Sequence, residues 1–201
     1  MTCFNRISVF AQPVRRLLLP VCAGIALSAD ALNGAPAEAH GTGAGEARIA
    51  QCIRQAAGGN LWLEKTLWGL RDQEAGWIGA EVRNTNGSYD LGPMQVNSAW
   101  VPKIAVLVGR SPVEVRSWLV SDPCFNADAA RWLFLTALRT TGDFWKAVGV
   151  YHSPTAWRQR RYALRVAGHM QRRFGQGIFA TPMAPRYLPT PADANADTVF
   201  E

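Results

Sequence analysis

The chain is expected to fold as a mainly helical α+β domain over residues 47–176, and three observations lead there. Apolar residues recur at helical spacing through most of that stretch, and several of the helices carry sequence signals for their ends. Between the second and third helical segments lies a turn-rich stretch, 84–97, whose Asn86-Gly87 pair marks a hairpin turn. At 201 residues, less a leader and a tail, the chain has room for one domain with a sizeable core and little more.

Each element has its own justification. Ile49, Cys52, Ile53 and Ala56 fall on one helical face, and Gly58-Gly59 stops that helix. Asn60 is suited to cap a second helix over 61–75, which ends at Gly76 and presents Glu74 in its last turn. The short segments flanking Asn86-Gly87 form a small hairpin, and the chain turns helical again after Trp100. Ser111-Pro112-Val113-Glu114 is a capping box with proline at the first helical position. Asp122-Pro123 opens a longer helix to about Thr140, Asp143 starts one reaching Tyr151, and Thr155 starts a basic helix that ends near Gly175.

The segments outside the domain read differently. Residues 1–29 have the form of a secretory signal peptide: Arg6, Arg15 and Arg16 without an acid, then an apolar run from Leu17 to Ala29 too short to span a bilayer. Cleavage falls between 28 and 39, after Ser28, Ala31 or Ala39. Arg15-Arg16 also fits twin-arginine export and Cys22 a lipoprotein, although Pro20-Val21 is a poor context for the latter. Residues 30–46, rich in Ala and Gly, read as a flexible linker, and 177–201, with Pro182, Pro185, Pro189 and Pro191, as a Pro-rich disordered tail. No transmembrane segment is expected after signal removal. Export also removes Cys3 and Cys22 and leaves Cys52 and Cys124, for which a disulfide is expected, two buried free thiols being the alternative. Two cysteines without histidines at ligand spacing make no zinc site, so neither metal nor cofactor is expected.

Formal charge is +6, and the chain stays basic without its leader. From Arg158 to Arg186 there are seven arginines and no acid, either a solvated helix face or a surface for an anionic polymer. Nucleic acid and cell wall both qualify as such a polymer; the export signal favours the wall and argues against nucleic acid.

The chemistry centres on Glu74. It lies seven residues after Leu67 and four after Leu70, on their apolar stripe, so its carboxyl is partly desolvated. Desolvation disfavours the anion and raises the pKa, which suits a proton donor near neutral pH. The nearest second carboxylate is Asp90, whose Asn-Gly-Ser-x-Asp setting equally fits a turn-stabilising side chain. Trp77 and Trp100 could stack on sugar faces, but eight tryptophans in a small domain mostly serve a core.

Five ordered blocks then carry a resemblance: Glu74-Ala75-Gly76-Trp77; Asn86-Gly87 through Asp90-Leu91-Gly92-Pro93-Met94-Gln95-Val96-Asn97 to Trp100; Asp122-Pro123-Cys124-Phe125-Asn126; Ala147 to Tyr151-His152-Ser153-Pro154; and Tyr162. Over roughly Ile49 to Phe174 the chain resembles the soluble lytic transglycosylases, and among them the small accessory enzymes of type IV secretion, conjugation, type III secretion and type IV pilus machines. It departs from them at Ala75, where many have Ser, and at Tyr151-His152-Ser153-Pro154, where many read Tyr-Asn-Ala-Gly.

The resemblance implies a lysozyme-like fold of the goose type, and a periplasmic enzyme of a Gram-negative bacterium. Such an enzyme cleaves the β-1,4 bond between N-acetylmuramic acid and N-acetylglucosamine to form a 1,6-anhydro product. It implies Glu74 as the single catalytic acid and base, with Gln95, Asn126, Tyr151 and Tyr162 as substrate-binding groups. Met94 either packs beneath the sugar or belongs to the core, and Asp90 lies in the same block. Partners would be peptidoglycan strands and components of a secretion or pilus machine, with the Pro-rich tail as a candidate docking segment. His152 reads as a variant loop residue. Two other classes fit the same residues: a hydrolytic muramidase using Glu74, Asp90 and water, and an inactive peptidoglycan-binding assembly factor.

Overall fold

The computed structural model describes residues 43–180. The leader, most of the linker and most of the Pro-rich tail lie outside them. Seven helices and one small sheet follow in chain order: α1 (Gly43–Ala57), α2 (Leu61–Glu74), β1 (Glu81–Arg83), β2 (Tyr89–Leu91), β3 (Val96–Asn97), α3 (Val101–Val108), α4 (Pro112–Ser121), α5 (Pro123–Thr141), α6 (Phe144–His152) and α7 (Ala156–Phe174). The architecture is therefore mainly helical with a minor sheet, an α+β arrangement.

The helix ends follow local chemistry. Asn60 accepts from the Leu63 amide and Asp143 from that of Lys146, while Asp122 accepts from both Cys124 and Phe125. Ser111 and Glu114 close a reciprocal capping box, with Pro112 as the first helical residue. Thr155 precedes α7 without a side-chain cap bond. One expected stop is different. Helix α2 ends one residue early, at Ala75, which adopts the left-handed conformation at φ 50° and returns its N–H to the Arg71 carbonyl. Gly76 serves another purpose: a Cβ there would lie 2.3 Å from the Gly92 carbonyl oxygen and 2.7 Å from Gln95 Nε2. Glycine is needed at 76 for close approach of two backbones.

Helix α5 is the centre of the core. Ala127, Ala129, Ala130, Trp132, Phe134, Leu135 and Leu138 are all buried, so the helix is covered nearly all round. Helix α1 packs on it with Ile49, Cys52, Ile53 and Ala56, and α6 with Ala147 and Val148. Helix α7 is amphipathic, burying Tyr162, Ala163, Val166 and Met170 against α2 and α6 while its arginines face outward. At the α2–α7 crossing, a Cβ on Gly69 would come within 2.6 Å of Met170 Cγ. The two helices therefore meet at a distance that only glycine allows.

Two boundaries differ from expectation. The helix expected from Ile49 begins at Gly43, and Glu46, placed in the linker by composition, pairs with the nearly buried Arg71 at 2.8 Å. Residues 43–46 are thus helix, tied to α2 through Glu46. At the other end, Gln176–Phe179 form a 3-10 turn, and the Phe179 ring meets Trp145 edge-on at 5.3 Å. The fold reaches past residue 176 because these apolar side chains have a partner to cover.

The sheet is antiparallel in the order β1–β2–β3, with Val82 opposite Asp90 and Asp90 opposite Asn97. The turn at Asn86-Gly87 joins β1 to β2 as expected, and a third strand adds to the hairpin.

Cys52 on α1 and Cys124 on α5 form a disulfide, with Cα atoms 4.5 Å apart and a sequence separation of 72. In the chain-entropy model a loop of that length contributes on the order of 4 kcal/mol. The Cys52→Ala/Cys124→Ala protein should therefore lose about that much unfolding free energy in urea denaturation, and a loss below about 1 kcal/mol would mean that packing alone holds α1 on α5.

Candidate functional site

Glu74 is the last residue of α2, and the packing of α2 on α7 brings Tyr162 to it. The buried Tyr162 hydroxyl donates a short hydrogen bond to Glu74 Oε1. Leu70 and Leu67, one and two turns earlier on the same stripe, are fully buried, so the Glu74 carboxyl sits at the exit of an apolar seam. Burial pushes its pKa from 4.5 to about 7; the Tyr162 hydrogen bond opposes that rise and the negative charge of Asp90 adds to it. Tyr162 itself is held neutral, its pKa raised well above 10 by burial and then by Glu74. With Oε1 occupied by the phenol, Oε2 is the oxygen left to hold a transferable proton.

The carboxyl opens onto a cleft of about 660 Å³ between the sheet and α6. On the sheet side the wall is a hydrogen-bonded amide network. Asn97 Nδ2 donates to Asp90 Oδ1 at 2.8 Å and to Ser88 Oγ at 3.0 Å, Asn84 Nδ2 reaches Ser88 Oγ at 3.1 Å, and Ser88 Oγ donates to Asn86 Oδ1 at 2.8 Å. Trp100 stands at the cleft, 37% exposed, its ring edge-on to Trp132 at 5.9 Å. On the α6 side are Val150, Tyr151, His152 and Ser153.

Of the residues implied as catalytic or substrate-binding, five line the cleft or touch the acid: Glu74, Asp90, Gln95, Tyr151 and Tyr162. Asp90 faces the cleft from β2, with one oxygen engaged by Asn97. Gln95 adopts φ 49°, a left-handed conformation uncommon for a side chain of this kind, and its Nε2 donates to the Gly92 carbonyl at 2.8 Å. Tyr151 donates its hydroxyl to the Met94 carbonyl at 2.8 Å, and burial raises its pKa well above 10.

Two expected substrate ligands are corrected. Asn126 is fully buried and wholly committed to backbone: Oδ1 accepts from the Met94 amide at 2.7 Å, and Nδ2 donates to the Leu91 and Leu119 carbonyls at 2.9 and 2.8 Å. Both amide hydrogens are taken and the side chain is sealed in the core, so it is not presented to the cleft. Met94, 1% exposed, belongs to the core and does not reach a sugar. Both residues act on the site through the loop they hold.

His152 is more than a loop variant. It ends α6 and its ring lies flat on Tyr162, centroids 4.7 Å apart and planes 4° off parallel. Partial burial lowers its pKa, opposed by Asp90 and reinforced by Arg158 and Arg165. A neutral imidazole thus covers the phenol that holds the acid. Sequence reading missed this because the stack joins residues ten apart on two helices; helical spacing connects only residues three or four apart. Among the described residues, no group of three or more His, Cys, Asp or Glu is placed to hold a metal ion, and no helix is long and apolar enough to cross a membrane.

The chain is similar to two curated proteins of enteric bacteria. It is 29% identical over 106 residues to Protein IpgF of Shigella flexneri, covering 52% of this chain and 66% of that protein. It is 30% identical over 105 residues to the Invasion protein IagB of Salmonella typhimurium, covering 50% of this chain and 62% of that one. In each case the similarity spans less than two thirds of the relative's length. No family model matches the chain.

Two outcomes follow from the site's physics. The folded protein holds the Glu74 proton more tightly than the unfolded chain does, so stability falls as pH rises from about 4.5 through 7, by on the order of 3 kcal/mol in all. Glu74→Gln removes that penalty and should be the more stable protein at pH 8, with the advantage gone at pH 4. Thermal unfolding of both proteins across this range checks it; a pH-independent difference would contradict a raised Glu74 pKa. Asn126→Ala strands three buried backbone groups and should cost about 3 kcal/mol, measured by urea unfolding, at a position where no ligand contact is lost.

Proposed function

We propose that the protein is a peptidoglycan lytic transglycosylase that opens the cell wall locally for an envelope-spanning secretion or conjugation apparatus. The observation that carries the reading is Glu74: one carboxyl with a pKa near 7, braced by a buried tyrosine, at the edge of a long amide-lined cleft. The sequence resemblance to lytic transglycosylases and the similarity to an invasion protein support the same reading and the secretion setting.

In this mechanism Glu74 Oε2 protonates the bridging oxygen between N-acetylmuramic acid and N-acetylglucosamine as the C1–O bond breaks. The muramic acetamido carbonyl oxygen bonds transiently to C1 and takes up the developing positive charge. Glu74, now a carboxylate, accepts the proton of the muramic C6 hydroxyl as that oxygen attacks C1 and expels the acetamido oxygen. The products are a 1,6-anhydro-muramic end and a free C4 hydroxyl, with Glu74 reprotonated. A pKa near 7 serves both halves of the cycle, because the group must give and retrieve a proton at the same pH. Tyr162 remains a donor throughout and stabilises the carboxylate that appears midway. Gln95, Tyr151 and the Asn84–Asn97 wall are the polar groups available to the sugars, and export to the periplasm follows from the reading of residues 1–29.

A muramidase using Asp90 to activate water is the second reading, favoured by the position of Asp90 on the same cleft. The tie from Asn97 to Asp90 Oδ1 fits a structural role better.

Purified sacculi incubated with wild type and Glu74→Gln separate these readings by mass spectrometry of the soluble fragments. Anhydro-muropeptides from wild type alone are expected; reducing-end products that vanish in Asp90→Asn would replace the transglycosylase by a muramidase, and no products at all would leave a wall-binding factor. The rate should fall above about pH 7, where Glu74 loses its proton. Tyr162→Phe removes a bond that favours the carboxylate, so this alkaline limb should move to higher pH while the maximal rate drops.

A further inference from the structure

A second pocket, of about 260 Å³, opens on the other side of Glu74, and it differs in character from the amide-lined cleft. Three of its walls are guanidinium groups: Arg158, Arg161 and Arg165, at positions three and four apart on one face of α7, with Trp157 beside them. Trp157 is 54% exposed and Arg158 lies over its ring at 5.3 Å. The pocket shares Glu74, His152 and Arg158 with the main cleft, so the two spaces adjoin at the acid.

The contrast within α7 matters. Arg173, two turns beyond Arg165, is spent on structure, forming a two-pronged pair with Asp72 at 2.7 Å and lying over Trp68 at 4.0 Å. Among the described residues no carboxylate forms an ion pair with Arg158, Arg161 or Arg165, and the acid in their pocket is Glu74, half protonated at neutral pH. Three like charges brought to one concave surface repel one another and gain from an anion placed between them. Guanidinium groups favour carboxylates, which they hold with two parallel hydrogen bonds.

We propose that this pocket is a carboxylate subsite that engages the peptide stem of the glycan lying in the cleft, so that the protein selects peptide-bearing strands over denuded ones. The proposal rests on the glycan-cleaving reading for the identity of the ligand, but the pocket's affinity for a carboxylate is testable without catalysis. A muramic residue adjoining Glu74 carries its lactyl-linked stem peptide outward from the ring, and the stem bears several carboxylates. A pocket that the acid itself lines is where such a substituent would be read.

Two measurements test this on the same proteins. The first compares release of anhydro-muropeptides from intact sacculi and of anhydro-sugars from amidase-stripped glycan strands, by wild type, Arg161→Ala/Arg165→Ala and the charge control Arg172→Ala. Wild type and the control should prefer peptide-bearing strands, and the double variant should lose roughly five- to tenfold more on those strands than on stripped ones, as expected for two exposed ion pairs. The preference should shrink as salt rises from about 10 to about 150 mM. The second titrates Glu74→Gln, with and without the two arginine substitutions, with the soluble tripeptide L-Ala–D-Glu–diaminopimelate and, separately, with inorganic phosphate. Tripeptide binding that depends on the arginines supports the subsite even if no strand is cleaved, in which case only the glycan-cleaving reading falls. An unchanged strand preference in the double variant, arginine-independent tripeptide binding, or phosphate binding without tripeptide binding each overturns the proposal.

Discussion

One buried amide, Asn126, sets the geometry on which the candidate site depends. It joins three segments distant in sequence: the Leu91 carbonyl at the end of β2, the Met94 amide in the following turn, and the Leu119 carbonyl near the end of α4. An asparagine side chain can give two hydrogen bonds and accept others, and in this position both donors are used and the oxygen accepts from a backbone amide, all inside an apolar core. Unmade, such bonds cost more than they contribute when made, so the loop between β2 and β3 has little freedom to adopt another path. That loop in turn brings the Gly92 carbonyl against Gly76, where no side chain fits. Gly92 is itself left-handed at φ 66°, with Asn126 Nδ2 only 2.6 Å from where a Cβ would be. The chain leaving Glu74 is therefore held by the same amide that holds the cleft floor.

The constraint is accompanied by strain. Two residues other than glycine adopt positive φ among the described residues, Ala75 and Gln95, and both flank the acid: one follows Glu74 directly, the other lines the cleft. Each costs on the order of 1 kcal/mol relative to a relaxed backbone. Glu74 adds an electrostatic cost, since a carboxyl near pKa 7 is in effect a charge the fold resists. The disulfide between α1 and α5 lies close in sequence to Asn126, and its contribution is of the size needed to offset such costs. Stability is thus concentrated next to the part of the molecule that is least relaxed.

Much of this was legible in sequence where the signal is local. Capping residues at Asn60, Ser111, Asp122 and Asp143 announce helix starts because a cap bond closes over two or three residues. Glu74 was legible for a similar reason: its spacing from Leu67 and Leu70 places it on a buried stripe whatever that stripe packs against. What failed was non-local. Asn126 has the composition of a sugar ligand, and only the arrival of β2 and α4 shows that its amide is already taken. Gly76 looked like a helix stop because glycine usually is one, but its small size answers a contact with Gly92 across the loop. Glu46 lay in an Ala- and Gly-rich stretch and read as linker until Arg71, on another helix, supplied a partner. Phe179 was likewise assigned to a Pro-rich tail because Trp145, which it covers, lies on α6.

The most consequential non-local fact is the double duty of α7. Its inward face supplies Tyr162, which braces the acid, and its outward face supplies Arg158, Arg161 and Arg165. Because Gly69 lets α2 and α7 meet closely, α7 cannot slide or rotate without driving Met170 into α2. Tyr162 and the arginines therefore share one register with respect to Glu74. The phenol stabilises a carboxylate at Glu74, and Arg158 and Arg165 add to the burial that lowers the pKa of His152, stacked on that phenol. The arginine face is thus tied to the acid by the pocket they share, and the helix that presents this basic surface also supplies, on its other face, the phenol that braces the acid.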